Sequence, residues 1–313
     1  MSAATLLSAY HRLPAVARGM LMMFVTTLCF AAMQSMIKWL AASGDAPLHP
    51  FEIAFFRNLF GVVAMLPMVF GRGITQALSA MRTTRPGLHL LRAVVQAVGM
   101  LSFFVAVTMV PLAEVTSLSF SAPLFATTIA VLLMGERIRA RRITALALGF
   151  AGVLIVLQPG MSEISVGAIL AIVSSLCWGF AMTVIKTLSR TDSPLTITLY
   201  AGLLLAVFTA VPAAFVWTTP TLEQLSWLLG IGVVGTIGHL AFAQSLRVAE
   251  MSAVLPLDFL RLVWASAIGF VVFQETPTLI SWAGGALIFG SATYIALREA
   301  QLARHRKRHG AGQ

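Results

Sequence analysis

Residues 251–275 read MSAVLPLDFLRLVWASAIGFVVFQE. At about 1.5 Å per helical residue this run is long enough to cross a hydrocarbon core of roughly 30 Å, yet Asp258 and Arg261 lie inside it. An ionisable side chain at the centre of a spanning helix costs about 2.5–3.5 kcal/mol on insertion scales, so such residues face a bundle interior or a polar cavity. Asp258 and Arg261 are three apart and share one helical face, where they can neutralise each other or be separated by a ligand. Pro256 lacks an N–H and can free a backbone carbonyl at the same depth. A self-paired ion pair that sets helix register explains the stretch; a pair lining a solute pathway explains it too, and is the favoured reading.

The rest of the composition agrees with a chain dissolved in lipid. Of 313 residues, 58% are hydrophobic and 10% charged, with mean hydropathy +0.90, against roughly 25% charged in an average soluble domain. Ten apolar segments of spanning length are predicted near 17–41, 51–71, 87–109, 112–134, 141–158, 165–188, 194–217, 222–246, 251–273 and 278–297, joined by short connections punctuated by Gly and Pro. The first follows Arg12 and Arg18 as a signal peptide would, but runs on to Leu40 and reads as a retained span. Cys29 and Cys177 lie inside apolar runs and suit neither a disulfide framework nor a metal site. The net charge of +10 is scattered between spans, which points to anionic lipid headgroups as partners and not to nucleic acid.

Lysine and arginine fall in alternate connections. One set holds Arg12 and Arg18, Arg72 to Arg85, Arg137 to Arg142, Arg190, Arg247, and the tail from Arg298 to Arg308; the other holds Asp45, Glu114, Glu163, Glu223 and Glu275. The positive-inside rule then predicts an even number of spans with both termini cytoplasmic. An internal repeat accompanies the alternation. LCFAAMQSMIK (28–38) recurs as LCWGFAMTVIK (176–186) at an offset of 148, and Glu136 closing the fourth span matches Glu275 closing the ninth at an offset of 139. Five spans per half is an odd number, so equivalent helices must cross in opposite directions. The expected fold class is an all-α integral membrane protein, ten transmembrane helices in two inverted-topology five-helix repeats. The expected division is a cytoplasmic segment 1–16, repeats 17–158 and 165–297, and a basic cytoplasmic tail 298–313.

FFRNLF (55–60), PLAEVTSLSFSAPLFATTIAVLLMGE (111–136) and PLDFLRLVWASAIGFVVFQE (256–275), with the two five-helix halves, make the whole chain resemble the EamA-type ten-span transporters of the drug/metabolite superfamily. Gln274 departs from the glycine that commonly precedes the second-half glutamate. The resemblance implies a multi-pass carrier of the bacterial inner membrane, working by alternating access around a cavity between its halves. Such relatives export amino acids or other metabolites, or take up compounds such as riboflavin or S-adenosylmethionine.

Candidate site residues are the polar and aromatic groups within spans. Arg57 can hold an anionic group in its two-pronged guanidinium, or pair with Glu52 or a carbonyl. Asp258 is the first proton-coupling candidate and Glu114 the second, although a negative residue opening a helix also satisfies the helix dipole. His239 can contact solute, but a bond to a neighbouring carbonyl is the default; for Gln34 and Gln96 the default is bonding between helices. Lys38 and Lys186, near span ends, are expected to snorkel to the headgroups. Trp178, Phe259 and Trp264 line a cavity or pack helices. Pro123 and Pro256 interrupt the fourth and ninth spans at non-equivalent positions.

The substrate-binding set is therefore Arg57, Gln34, Gln96, Trp178, His239, Phe259, Asp258, Arg261 and Trp264. No catalytic residue, metal ligand or cofactor is expected, because GxxxxGK[ST], HExxH and GxSxG are all missing from the sequence. The functional expectation is a secondary transporter of a small polar or amphipathic metabolite, export favoured. Alternatives are an uptake carrier, a membrane enzyme, or a non-transporting partner subunit. Homodimerisation is left open.

Overall fold

The computed structural model describes residues 13–42, 47–70, 82–134, 140–159, 163–249 and 251–310. Asp45, Glu136, Arg12, Arg72, Arg137 and Arg139 lie outside them. Regular structure among the described residues is helical: α1 (Ala15–Ala42), α2 (Pro50–Phe70), α3 (Pro86–Met109), α4 (Leu112–Ser119), α5 (Ala122–Met134), α6 (Ala140–Leu157), α7 (Val166–Leu188), α8 (Pro194–Phe215), α9 (Leu222–Val248), α10 (Met251–Val254), a 3₁₀ turn Leu255–Phe259, α11 (Leu260–Phe273) and α12 (Leu279–Gly310).

Eight helical segments are long and apolar enough to cross a membrane, the pair α4–α5 counting as one through Leu112–Leu132. The 21-residue α2 and the apolar part of α6, Ile143–Leu157, complete ten crossings. Helix starts follow local chemistry. Ser165 and Ser193 accept from the backbone N–H of Ala168 and Thr196, Pro86 and Pro194 take first-turn positions where no N–H is needed, and Thr221 with Gln224 forms a reciprocal capping box. The last span continues as helix to Gly310, through most of the expected basic tail. Between Tyr294 and His309 there is no Gly or Pro to stop it, and Arg, Leu, Ala, Glu and Gln all favour helix.

Large apolar side chains such as Leu132, Phe215, Leu222, Val271 and Leu279 point outward, whereas Thr26, Glu52, Asn58, Thr116, Ser117 and Thr209 are buried. That is the inverse of a soluble domain and suits a hydrocarbon surround, where polar groups must find partners inside the protein.

The helix pairing is two-fold. α1 packs on α9 while α7 packs on α3; α11 packs on α1 while α5 packs on α7. α2 packs on its own repeat mate α8, and α6 on its mate α12. Exchanging the halves returns these principal pairings, as an inverted repeat requires.

At the α6–α12 contact two mate helices touch through glycine. A Cβ at Gly152 would stand 2.9 Å from the Gly284 carbonyl oxygen, and one at Gly284 would stand 2.8 Å from that of Gly152. Close backbone approach of this kind is the usual role of small residues between spans. Gly152→Ala should therefore destabilise by about 1–3 kcal/mol. Gly290→Ala, whose Cβ meets nothing within 4 Å, should be neutral or gain up to about 1 kcal/mol of helix propensity. Thermal unfolding of the two variants in detergent checks the contrast; equal effects would remove the close-packing argument.

Candidate functional site

The fourth and ninth spans both break, and the breaks meet. In the first half, Phe120 and Ser121 separate α4 from α5, with the N–H of Phe120 donating to the Ser117 carbonyl and that of Ser121 to the Leu118 carbonyl. Pro123 supplies no N–H to the Ser119 carbonyl, so the ladder tightens to i+3 bonds here. In the second half, Pro256 sits in the 3₁₀ turn that ends at Phe259. The two prolines are out of register, but at the repeat offset of 139 Phe120 and Phe259 are equivalent. Their rings stack at 6.2 Å and 24°. Phe289 packs on both, and Trp282 meets Phe259 edge-on.

Beside this stack Arg261 lies over the Phe120 ring, 4.7 Å from its centroid, and 3.7 Å from an Asp258 oxygen. The ion pair is longer than a hydrogen bond. The Nε of Arg261 is buried with no hydrogen-bond partner, and the two side chains keep 17% and 20% of their surface accessible. An arginine with unfilled donors, an aromatic face and a loosely held carboxylate can accept a polar solute without first breaking a tight bond.

A second polar group lies between α1, α2 and α9. Arg57 donates from Nη1 to the Asn58 side-chain oxygen at 3.0 Å, not to Glu52. The oxygens of fully buried Glu52 accept instead from the Thr218 N–H and hydroxyl and from the His49 N–H. His239 is accessible, with its ring 5.0 Å from Phe30.

The other expected site residues are dispersed. Gln34 accepts from the Thr116 hydroxyl at 3.0 Å, joining α1 to α4. Gln96 is buried with an unpartnered side-chain oxygen, so the expected interhelical bond is not formed. Trp264 packs edge-on against Phe24 with its N–H unpartnered, and Trp178 is half-buried on α7. Glu114 lines a cavity of about 210 Å³ with Glu163 and Ser281 at the acidic end of the bundle; Asp258 is not among its walls.

Both ends of the bundle are tied across the halves. At the acidic end Lys38 pairs with Glu275 and donates to the Val110 carbonyl at 2.8 Å, while the Leu112 N–H donates to Glu275. The expected snorkelling of Lys38 is thus corrected: its amine turns inward because Glu275 and an otherwise free helix-end carbonyl both lie within reach. At the arginine-rich end, Asp192 accepts from the Thr83 hydroxyl at 2.6 Å and contacts His89 Nε2 at 2.7 Å. Arg92 donates to the Ile197 carbonyl, and His89 stacks on Tyr200. The hydrogen bonds from Thr83 and His89 hold the Asp192 carboxyl below its ordinary range. Sequence reasoning passed over Asn58, His89, Arg92 and Asp192, although Arg92 is a charge inside the third span and the rule that singled out Arg57 applies to it equally.

A bundle of two exchanged halves, tied at both ends and carrying unsatisfied polar groups at its helix breaks, defines a polytopic membrane carrier of small solutes. The chain belongs to the EamA-like transporter family, whose model matches residues 17–158 and again 165–297. It is 30% identical to a riboflavin transporter of Vibrio cholerae over 93% of this chain and 96% of that one. It is 27% identical to an S-adenosylmethionine uptake transporter of Rickettsia bellii over 80% and 85% of the two chains, and 28% identical to a pseudopaline exporter of Pseudomonas aeruginosa over 86% and 93%. A crystal structure with TM-score 0.57 and 18% identity covers 91% of this chain and 99% of its own, and shares the fold.

Two outcomes follow from the end ties. Glu275→Gln should cost about 3–5 kcal/mol, towards the lower figure because each side chain is still 14% accessible; chemical unfolding measures it, and the exchange Lys38→Glu with Glu275→Lys should not recover the loss, because it sets an acceptor against the Val110 carbonyl and a donor against the Leu112 N–H. For Asp192 the folded-state value is depressed, so its stabilisation is present above the ordinary carboxylate pKa and is lost as pH falls through the folded value. Asp192→Asn should accordingly flatten the stability–pH profile below about pH 4 and lower stability at neutral pH.

Proposed function

We propose that this protein is a secondary transporter that moves a small polar or amphipathic metabolite across the bacterial inner membrane by alternating access. The observation that carries the reading is the contrast along the bundle. The end ties join the halves through close ion pairs and hydrogen bonds, while the helix breaks at Phe120 and Phe259 hold Arg261 and Asp258 3.7 Å apart with the Arg261 Nε unpartnered. A carrier needs a central site that is satisfied only when occupied, between closures that open one at a time.

The two repeats are taken as 17–158 and 165–297, rocking against each other, with both termini on the cytoplasmic side where the arginine-rich connections meet anionic headgroups. Asp258 is the proposed proton carrier. It stands 3.7 Å from Arg261, so a solute that draws Arg261 away removes its nearest counter-charge. Relatives include proteins named for uptake and one named for export; export remains the direction proposed.

The test is counterflow by purified protein in liposomes, with labelled amino acids and flavins, under equal and opposed pH gradients and with known insertion sidedness. Saturable flux is expected. Asp258→Asn and Arg261→Gln should each reduce it by about 10–150-fold, the equivalent of one charge-assisted hydrogen bond of roughly 1.5–3 kcal/mol. Their thermal unfolding should match the parent. Parallel losses of flux and of folded protein would assign both residues to structure, and turnover of a solute in detergent without a second compartment would point to an enzyme.

A further inference from the structure

We propose that the transported solute bears an anionic group, a carboxylate or phosphate, that docks on the open edge of Arg57, and that Asn58 is the residue that positions this guanidinium. The proposal rests on the carrier reading above and assigns the chemical class of its solute.

Arg57 lies seven residues into α2, about 10 Å along the helix from its start. Of the five N–H donors of a guanidinium, one is occupied, by Asn58. No carboxylate stands within ion-pair distance of Arg57 among the described residues, since the nearest acid on its own helix, Glu52, is taken by Thr218 and His49. The Nε–Nη2 edge faces α9 at Gly235, where an added Cβ would come to 3.5 Å and 3.7 Å from those two nitrogens. The Met33 sulfur occupies that position, 2.8 Å from where the Cβ would stand, and borders the edge that binds carboxylate or phosphate in a fork. One turn along α9, His239 lies on the same face and is accessible, so a second polar group stands on the helix face that Arg57 meets.

The orientation of Arg57 is set from behind. Asn58 is only 2% accessible. The Thr209 hydroxyl donates to the Leu205 carbonyl at 2.6 Å, so its oxygen must accept from the Asn58 amide at 3.2 Å. The same amide reaches Met100 sulfur at 3.3 Å. With its NH₂ committed to α3 and α8, Asn58 can only turn its oxygen to Arg57. The chain Leu205, Thr209, Asn58, Arg57 thus anchors one corner of the guanidinium and leaves the opposite edge open.

Charge balance sets the class of ligand. Arg57 has no acid within ion-pair distance among the described residues, so an anion is the ligand that balances its charge. In a low-dielectric interior a cation without a counter-charge is costly, and its relief is specific to an anion.

The test reads binding, so it does not depend on transport. Thermal unfolding of the purified full chain in detergent is followed against acetate and inorganic phosphate, at constant ionic strength set with chloride. A saturable rise of about 2–4 °C at tenfold excess over Kd is expected. Arg57→Gln should lose it. Asn58→Asp, which puts a carboxylate against the guanidinium, should lose it too, and Arg57→Lys should keep a reduced rise because charge survives without the fork. The absence of a rise with either anion, or a rise that persists in Arg57→Gln, would overturn the proposal. Added phosphatidylglycerol that abolishes the acetate effect would identify a lipid headgroup as the occupant and would equally overturn it. An Arg57-dependent rise in a protein that moves no solute would leave the anion site standing while the carrier reading fell. Saturable flux of a cationic solute untouched by Arg57→Gln would do the reverse.

Discussion

Hydrocarbon offers no partner to a backbone N–H or C=O, and this constraint governs where the chain is regular and where it is not. The crossings are helical, and the interruptions in two of them lie at Phe120 and Phe259, where their rings stack on each other and Phe289 packs on both. The repeat makes this arrangement economical. Equivalent residues from opposite halves approach the same pseudo-two-fold axis, so two weak points in two helices become one shared centre covered by Phe289 and Trp282.

Polar residues divide into two populations with different physics. Those at the bundle ends are paired across the halves, although His89 Nδ1 and Arg92 Nε keep no hydrogen-bond partner. Lys38, Glu275, Glu52, Asp192, His89 and Arg92 each engage a partner on the opposite half, often a backbone group left over at a helix terminus or connection. Those within the spans, Arg57, Arg261 and Asp258, are loosely held or carry few hydrogen bonds. Desolvation makes an unmatched central charge expensive in the empty protein. The same expense makes an entering ligand's complementary groups worth more than they would be in water.

The end ties also show why repetition of a residue says little about its task until the halves are assembled. Lysine recurs at 38 and 186 and glutamate at 136 and 275. Lys38 from the first half meets Glu275 from the second, so the repeat unit supplies each half of a bridge to the other unit instead of a bridge to itself. Hydrogen bonds to Val110 and Leu112 add the junction between α3 and α4 to the same knot. A motion that separates the halves at this end has to break all of these contacts together.

Span number, span limits, the alternation of basic and acidic connections and the two-half organisation were legible from the residues alone. They depend on transfer of side chains into lipid and on chain length, both local quantities. Candidates such as Arg57, Asp258 and Arg261 were legible for the same reason, since a charge in an apolar run is conspicuous wherever it points. What the run cannot contain is the identity of the neighbour. That Glu52 serves Thr218 and not Arg57, that Lys38 turns inward, that Asn58 aims Arg57, and that two out-of-register prolines produce breaks in register are outcomes of packing between residues up to 237 positions apart, as for Lys38 and Glu275. The sequence by itself determined how often the chain crosses and which residues are costly to bury; only the tertiary structure decided which of those costs are met within the protein, because hydrogen bonds and ion pairs act over a few ångströms in space regardless of distance along the chain.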